Sequence, residues 1–167
     1  MIDELAHAGS EHLDPAFADG YDRKQGRPDP AEDIAVFAAH GLGPDATVVD
    51  LGAGTGQFAL DAARAFGRVV AVDVSAVMLD RLRRGAEGVA NLTCVQAGFL
   101  GYEHRGAPAD GVHTRNALHH LPDFWKAIAL TRIARQLRPG GIRRLHSAAG
   151  GGRSGTGPAP LPDRPGT

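Results

Sequence analysis

Three glycines spaced two apart, Gly52, Gly54 and Gly56, stand between Asp50 and Asp73, the second aspartate lying seventeen positions beyond the last glycine. Glycine lets the main chain turn tightly and approach a ligand closely, because no Cβ intervenes. A turn of this kind that opens a helix also directs main-chain N–H groups at what it binds. A carboxylate at the end of the next strand can accept from both hydroxyls of a ribose, and it repels a 2′-phosphate. A second pair, His119 and His120, carries imidazoles that titrate where a general base is useful. Two readings stay open for these histidines, a base for a bound acceptor and a packed or hydrogen-bonded pair. Among the eight histidines, His7, His12, His104, His113, His119 and His120 show no ligand spacing with cysteine or carboxylate, so no metal is expected.

These groups need elements to hold them. Asp29, Pro30 and Glu32 form a helix start with a cap, a proline at the first position and an acid at the third. Gly41 and Gly43 end that helix. Residues 47–51 read as a buried strand, and a helix from about Gln57 to Phe66 follows the glycine turn. Residues 68–73 form a second β-branched run, and Ser75 caps a helix carrying Val77, Met78 and Leu82. Leu92–Gln96 and Asp110–Arg115 supply two more strands. From Pro122 to Leu137, Trp125, Ile128, Ala129, Ile133 and Leu137 lie on one helical face. Arg138-Pro139-Gly140-Gly141 reads as a sharp stop, and Ile142–Ala148 begins a fifth strand that Arg143 and Arg144 interrupt. Strands alternating with amphipathic helices predict right-handed βαβ units, an α/β doubly wound parallel sheet of about five strands with helices on both faces.

Dinucleotide-binding folds usually read Gly-x-Gly-x-x-Gly, and this chain has Gln57 where the third glycine would stand. Asp50-Leu51-Gly52-Ala53-Gly54-Thr55-Gly56 instead resembles the first motif of the class I S-adenosylmethionine-dependent methyltransferases. Val72-Asp73-Val74-Ser75 resembles that family's second-strand acid, Asn116-Ala117-Leu118-His119-His120-Leu121 its fourth-strand segment, and Leu137-Arg138-Pro139-Gly140-Gly141 its turn into the fifth strand. The resemblance spans residues 21 to about 142 and implies a Rossmann-like fold with S-adenosylmethionine as cofactor. It implies that Asp50 and the loop from Gly52 through Ala53, Gly54 and Thr55 to Gly56 line the methionine part. It also implies that Asp73 holds the ribose, with Val74, Phe99 and Asn116 beside the cofactor. Met78 has two open readings, packing on the adenine or in the core. Tyr21 and Arg23 fall where the family's N-terminal segment closes over the cofactor. One departure stands out. Many members carry an acid at the end of the third strand that accepts from the adenine amino group, and this chain reads Gln96-Ala97-Gly98-Phe99. Asn116-Ala117-Leu118-His119 also lacks the Asn-Pro-Pro-Tyr pattern of base methylases, which disfavours a nucleic-acid acceptor.

Composition narrows the class further. Within 167 residues, 43% are hydrophobic and 22% charged, with 18 basic against 19 acidic side chains. That balance excludes a large phosphate-binding surface, and no apolar run reaches the ~20 residues of a bilayer span. A lone Cys94 and an N-terminus without a signal-peptide pattern fit a cytoplasmic protein, and Cys94 itself reads as a small strand residue. Residues 1–28 are expected to form an N-terminal cap segment, 29–148 the S-adenosylmethionine-binding domain, and 149–167, with six Gly and four Pro, a disordered tail. The family continues past the fifth strand with further helices and two strands that residues 149–167 do not supply, so a C-terminal truncation is expected, as from a shifted reading frame. The leading expectation is methyl transfer to a small-molecule acceptor. The alternatives are a non-catalytic or unstable remnant that at most binds the cofactor, and an NAD-dependent oxidoreductase. Acceptor identity and oligomeric state are not legible.

Overall fold

A computed structural model describes residues 3–8 and 29–146 of the chain. Tyr21, Arg23 and the expected tail lie outside the described residues. The elements are α1 (Glu4–Ala8), α2 (Pro30–Ala39), β1 (Thr47–Leu51), α3 (Gln57–Ala65), β2 (Arg68–Asp73), α4 (Ala76–Gly85), β3 (Leu92–Gln96), β4 (Ala109–Arg115), a single 3-10 turn at Leu118–His120, α5 (Asp123–Gln136) and β5 (Leu137–His146). The five strands form one parallel sheet in the order β3-β2-β1-β4-β5. The strand order reverses beside β1, and in such sheets ligands collect at the carboxyl ends where the order reverses.

The two faces of the sheet divide the core. Val48, Val69 and Ala71 point to one side, where α2, α3 and α4 contribute Phe37, Phe58, Ala62 and Leu82. Their chain neighbours Val49, Val70 and Val72 point to the other, against Phe99, Tyr102, Ala129 and Ile133. This is the period-two alternation of a strand buried on both faces. Phe37 anchors the first side, fully buried, with its ring 6.1 Å from Phe58 and 6.0 Å from Phe66. Burying a side chain of that size contributes roughly 1.5–3 kcal/mol.

Local signals placed the helix starts well. The Asp29 carboxylate accepts from Ala31 N with Pro30 at the first helical position, and the Ser75 hydroxyl accepts from Met78 N. Cys94 is half-buried in β3. The fifth strand differs from expectation. The helix does end just before Arg138–Gly141, but these residues lie within the strand rather than ahead of it, and Arg143 and Arg144 do not interrupt it. β5 follows α5 directly and pairs with β4 through His146. Its register jumps between Ala109↔Leu137 and Gly111↔Ile142, so the Arg-Pro-Gly-Gly stretch is absorbed as a bulge, with Gly140 at φ +76°. Arg144 is accommodated because its guanidinium meets a buried carboxylate from α2.

Candidate functional site

The glycine turn is stitched to the neighbouring strand. Gly52 N and Ala53 N both donate to Val72 O, at 2.8 and 3.0 Å. Gly52 adopts φ +75°, and a Cβ there would stand 2.2 Å from the Ala117 Cβ. The missing side chain therefore allows β1 and the segment after β4 to converge at the site. Asp73, at the end of β2, accepts from Gly54 N through Oδ2 and from Ser75 N through Oδ1, each at 2.8 Å. One carboxylate thus locks the turn, starts the next helix and faces the bend. Gly56 serves a different purpose. It sits at φ +88° with Leu82 packed where a Cβ would go, 2.5 Å away, so it admits α4 against α3.

Two cavities flank the turn. The first is bounded by Leu51, Gly52, Gly54, Asp73, Val74, Phe99, Asn116, His120 and Glu4. The second is bounded by Asp50, Ala53, Thr55, Gln57, Phe58, His113 and Asp33. Gly52, Gly54, Arg115 and Asn116 border both. Asn116 holds φ +53°, a left-handed conformation that asparagine tolerates better than most residues and that tends to mark functional turns. The structure thus gathers Asp50, Gly52, Ala53, Gly54, Thr55, Asp73, Val74, Phe99 and Asn116 around one bend. Met78 is buried and borders neither cavity, and Gly56 borders neither. His120 lines the first cavity, while His119 is exposed with its ring centre 4.1 Å from that of His120.

Behind the second cavity lies a charge cluster that sequence reasoning missed. Asp33 of α2 is 1% exposed and accepts from His113 Nε2 at 3.1 Å, Arg144 Nε at 2.8 Å and His146 Nε2 at 2.7 Å, with Arg115 also paired to it. His113 reaches Asp50 through Nδ1 at 2.7 Å and stacks on Phe58, 3.7 Å between ring centres. Both ring nitrogens of His113 face carboxylates, which only accept, so both carry a proton and the ring is an imidazolium. Burial pulls the His113 pKa down, but Asp50 and Asp33 outweigh it and hold the pKa above its ordinary value. Burial likewise opposes ionisation of Asp33, yet His113, Arg144 and His146 hold its carboxyl well below the usual range. His146 goes the other way, because burial, together with the positive charges of Arg115 and Arg144, holds its pKa below the ordinary value despite Asp33. A signal for this cluster exists. Asp33 lies one turn before Phe37 on the buried face of α2, and the basic residues alternate along β4 and β5, pairing His113↔Arg144 and Arg115↔His146 across the strands. Alternating basic residues on neighbouring buried strands require an acid opposite them.

Chemically, the first cavity offers a carboxylate for a diol, turn N–H groups beside it, and apolar surface from Val74 and Phe99 for a flat ring. Among the described residues no group of histidine, cysteine and acidic side chains is arranged to hold a metal, and no helix is long and apolar enough to cross a membrane.

Comparison with known proteins agrees with this geometry. Residues 48–141 match the family model described as a methyltransferase domain. A trans-aconitate 2-methyltransferase from Deinococcus radiodurans is 34% identical over 121 residues, covering 71% of this chain and 43% of that protein. The chain therefore spans less than half the length of that relative. Among solved structures, a putative methyltransferase complexed with the Haloferax volcanii Trm112 activator superposes with a TM-score of 0.66 at 28% identity, over 78% of this chain and 58% of the other. The magnesium protoporphyrin IX methyltransferase of Synechocystis PCC 6803, solved with bound S-adenosylmethionine, shares the fold, with a TM-score of 0.69 at 20% identity over 87% and 76% of the two chains.

Proposed function

The chain belongs to the methyltransferase-domain family with the class I fold, and from that premise we propose that it binds S-adenosylmethionine at the glycine turn and transfers the methyl group to a small-molecule acceptor. The observation that carries this reading is the Asp73 carboxylate, 2.8 Å from Gly54 N at the mouth of a cavity walled by Val74 and Phe99. The residues present fit the group. Asp73 would hold the ribose diol, Val74 and Phe99 would flank the base, and Asp50 with the loop from Gly52 to Thr55 would border the methionine end. The cofactor, when bound, supplies an electrophilic methyl on a sulfonium, so no metal or acyl intermediate is required.

The protein's own contribution is then mainly alignment. Holding acceptor and donor in line can supply ~7–11 kcal/mol of barrier reduction. The turn is held for that purpose by its own hydrogen bonds to Val72 O and Asp73. Where the acceptor must shed a proton, His120 on the cavity wall is the base we assign, and the exposed His119 packs beside it with its ring tilted against that of His120. The acceptor class is small molecules, and a polycarboxylic acid is the first to test because the Deinococcus relative is a trans-aconitate methyltransferase.

Calorimetric titration with S-adenosylhomocysteine and with NAD tests the cofactor assignment. Binding of the former alone is expected, and binding of NAD alone overturns it. Transfer of labelled methyl from S-adenosylmethionine into a metabolite pool that includes trans-aconitate then tests for turnover. A chain that binds but transfers nothing fits the reading of a cofactor-binding domain without catalysis.

A further inference from the structure

The cavity beside Asp73 is closed by a residue far away in sequence. Glu4 of α1 lies over the end of β3, where its Oε1 accepts from Leu100 N at 3.0 Å. Its carboxylate fills the space that a side chain on Gly98 would occupy, since a Cβ built there would stand 2.3 Å from the Glu4 carboxyl carbon and 2.4 Å from each oxygen. Gly98 follows the stretch where β2 and β3 pair Asp73 with Gln96 and where Ala97 N donates to Asp73 O at 3.0 Å. Asp73 and Glu4 thus border one cavity, with Val74 and Phe99 on its wall. The second carboxylate oxygen, Glu4 Oε2, is buried and accepts no hydrogen bond among the described residues. An ionised oxygen withdrawn from water without a donor is costly, so the site is built to receive one.

We propose that Glu4 is the residue that selects the base: with the ribose on Asp73, Glu4 Oε2 accepts from the exocyclic amino group of adenine. The inference rests on the cofactor reading above and gives that reading a specificity determinant. It also accounts for the end of the third strand, where Gln96-Ala97-Gly98-Phe99 provides no acid of its own. The carboxylate arrives from α1 instead, and Gly98 leaves room for it.

The test compares S-adenosylhomocysteine with its deaminated analogue S-inosylhomocysteine, which presents a 6-oxo group in place of the amino donor, by calorimetric titration of the full chain. The expected result is at least a tenfold preference of the parent protein for the amino compound. Glu4→Ala should lose about tenfold or more in affinity for S-adenosylhomocysteine and little for the oxo analogue. Glu4→Gln, whose amide can donate to a 6-oxo group, should shift preference towards the analogue. Gly98 is absent from the positive-φ positions, so its backbone accepts a side chain, and adding Gly98→Asp to Glu4→Ala should restore the preference from the strand itself. If Glu4→Ala binds S-adenosylhomocysteine as the parent does, or loses both compounds equally, the role assigned to Glu4 is overturned. A parent protein that binds neither compound overturns the cofactor reading, and the selection of adenine with it.

Discussion

The cavity beside Asp73 and the chamber beside Asp50 meet at Gly52 and Gly54, yet they are assembled over different lengths of chain. The contact that shapes the first, Gly54 N to Asp73, joins residues 19 apart. The contacts that hold the second join Asp33 to His113, Arg144 and His146, separated by 80, 111 and 113 positions. The first is a short-range turn that offers main-chain donors and one carboxylate to a ligand. The second is a long-range ionic clamp that fixes α2 to β4 and β5 and leaves most of its polar atoms satisfied internally. Recognition by the turn and Asp73 is thus carried by local geometry, and the position of that geometry is secured by charges brought together only by folding.

The most severe way to break this division is to remove the centre of the clamp. Asp33→Ala would leave Arg115, Arg144, His113 and His146 facing one another without their shared anion. Breaking a buried ion pair from one side typically costs about 3–5 kcal/mol. At ~2–4 °C per kcal/mol for a domain of this size, thermal unfolding followed by circular dichroism should fall by roughly 10 °C. An unchanged melting temperature would mean that the cluster does not secure the fold. Asp73→Ala should act on the other region. Loss of hydrogen bonds to a charged group amounts to about 1.5–3 kcal/mol, so calorimetry should show affinity for S-adenosylhomocysteine reduced at least tenfold while secondary structure persists. Equal affinity in the variant would remove Asp73 from the site.

The same contrast explains what was legible in the sequence. The turn from Asp50 to Gly56, the acid Asp73, the caps Asp29 and Ser75 and the alternating strands all depend on neighbours in the chain, so residue types and spacing reveal them. The fifth strand was expected from Ile142, but its start at Leu137 and its continuity were misread because Pro139, Gly140 and two arginines look like strand breakers when taken locally. Their acceptance depends on a bulge against β4 and on Asp33 more than a hundred positions earlier. Gly56 was assigned to the ligand because it completes the repeat, whereas its backbone serves the packing of Leu82. Glu4 was missed for the same reason as Asp33, since its hydrogen bond to Leu100 spans 96 residues and one glutamate in a polar segment carries no pattern.

A pH series sharpens the comparison. His113 has a folded-state pKa raised above 6.5, so the stability it contributes is complete below that value and fades as pH climbs through the raised pKa. Asp33, held low, contributes above the usual carboxylate range of about 4 and loses that contribution only on acidification. The gap in melting temperature between the parent and His113→Gln should therefore be widest between these limits and narrow on the alkaline side. A gap that widens rather than narrows as the pH rises would mean that the ring is not the charged bridge between Asp50 and Asp33.

The smallest expected effect makes the sharpest control. Arg64 and Asp61 on α3 form an ion pair at 2.6 Å, about as close as the contacts of Asp33, but their side chains are 81% and 42% exposed. Solvent screening and the entropy of fixing two long side chains offset most of the Coulombic attraction at such a site. Arg64→Ala should shift the melting temperature by about 1 °C or less, against roughly 10 °C for Asp33→Ala. The difference would come from desolvation rather than distance, because removing one partner at the surface leaves the other in water, whereas removing Asp33 takes the shared anion from the buried Arg144 guanidinium and from the inner face of the buried His113 ring. Comparable shifts from the two variants would show that proximity of charge, and not burial, sets the strength of the clamp.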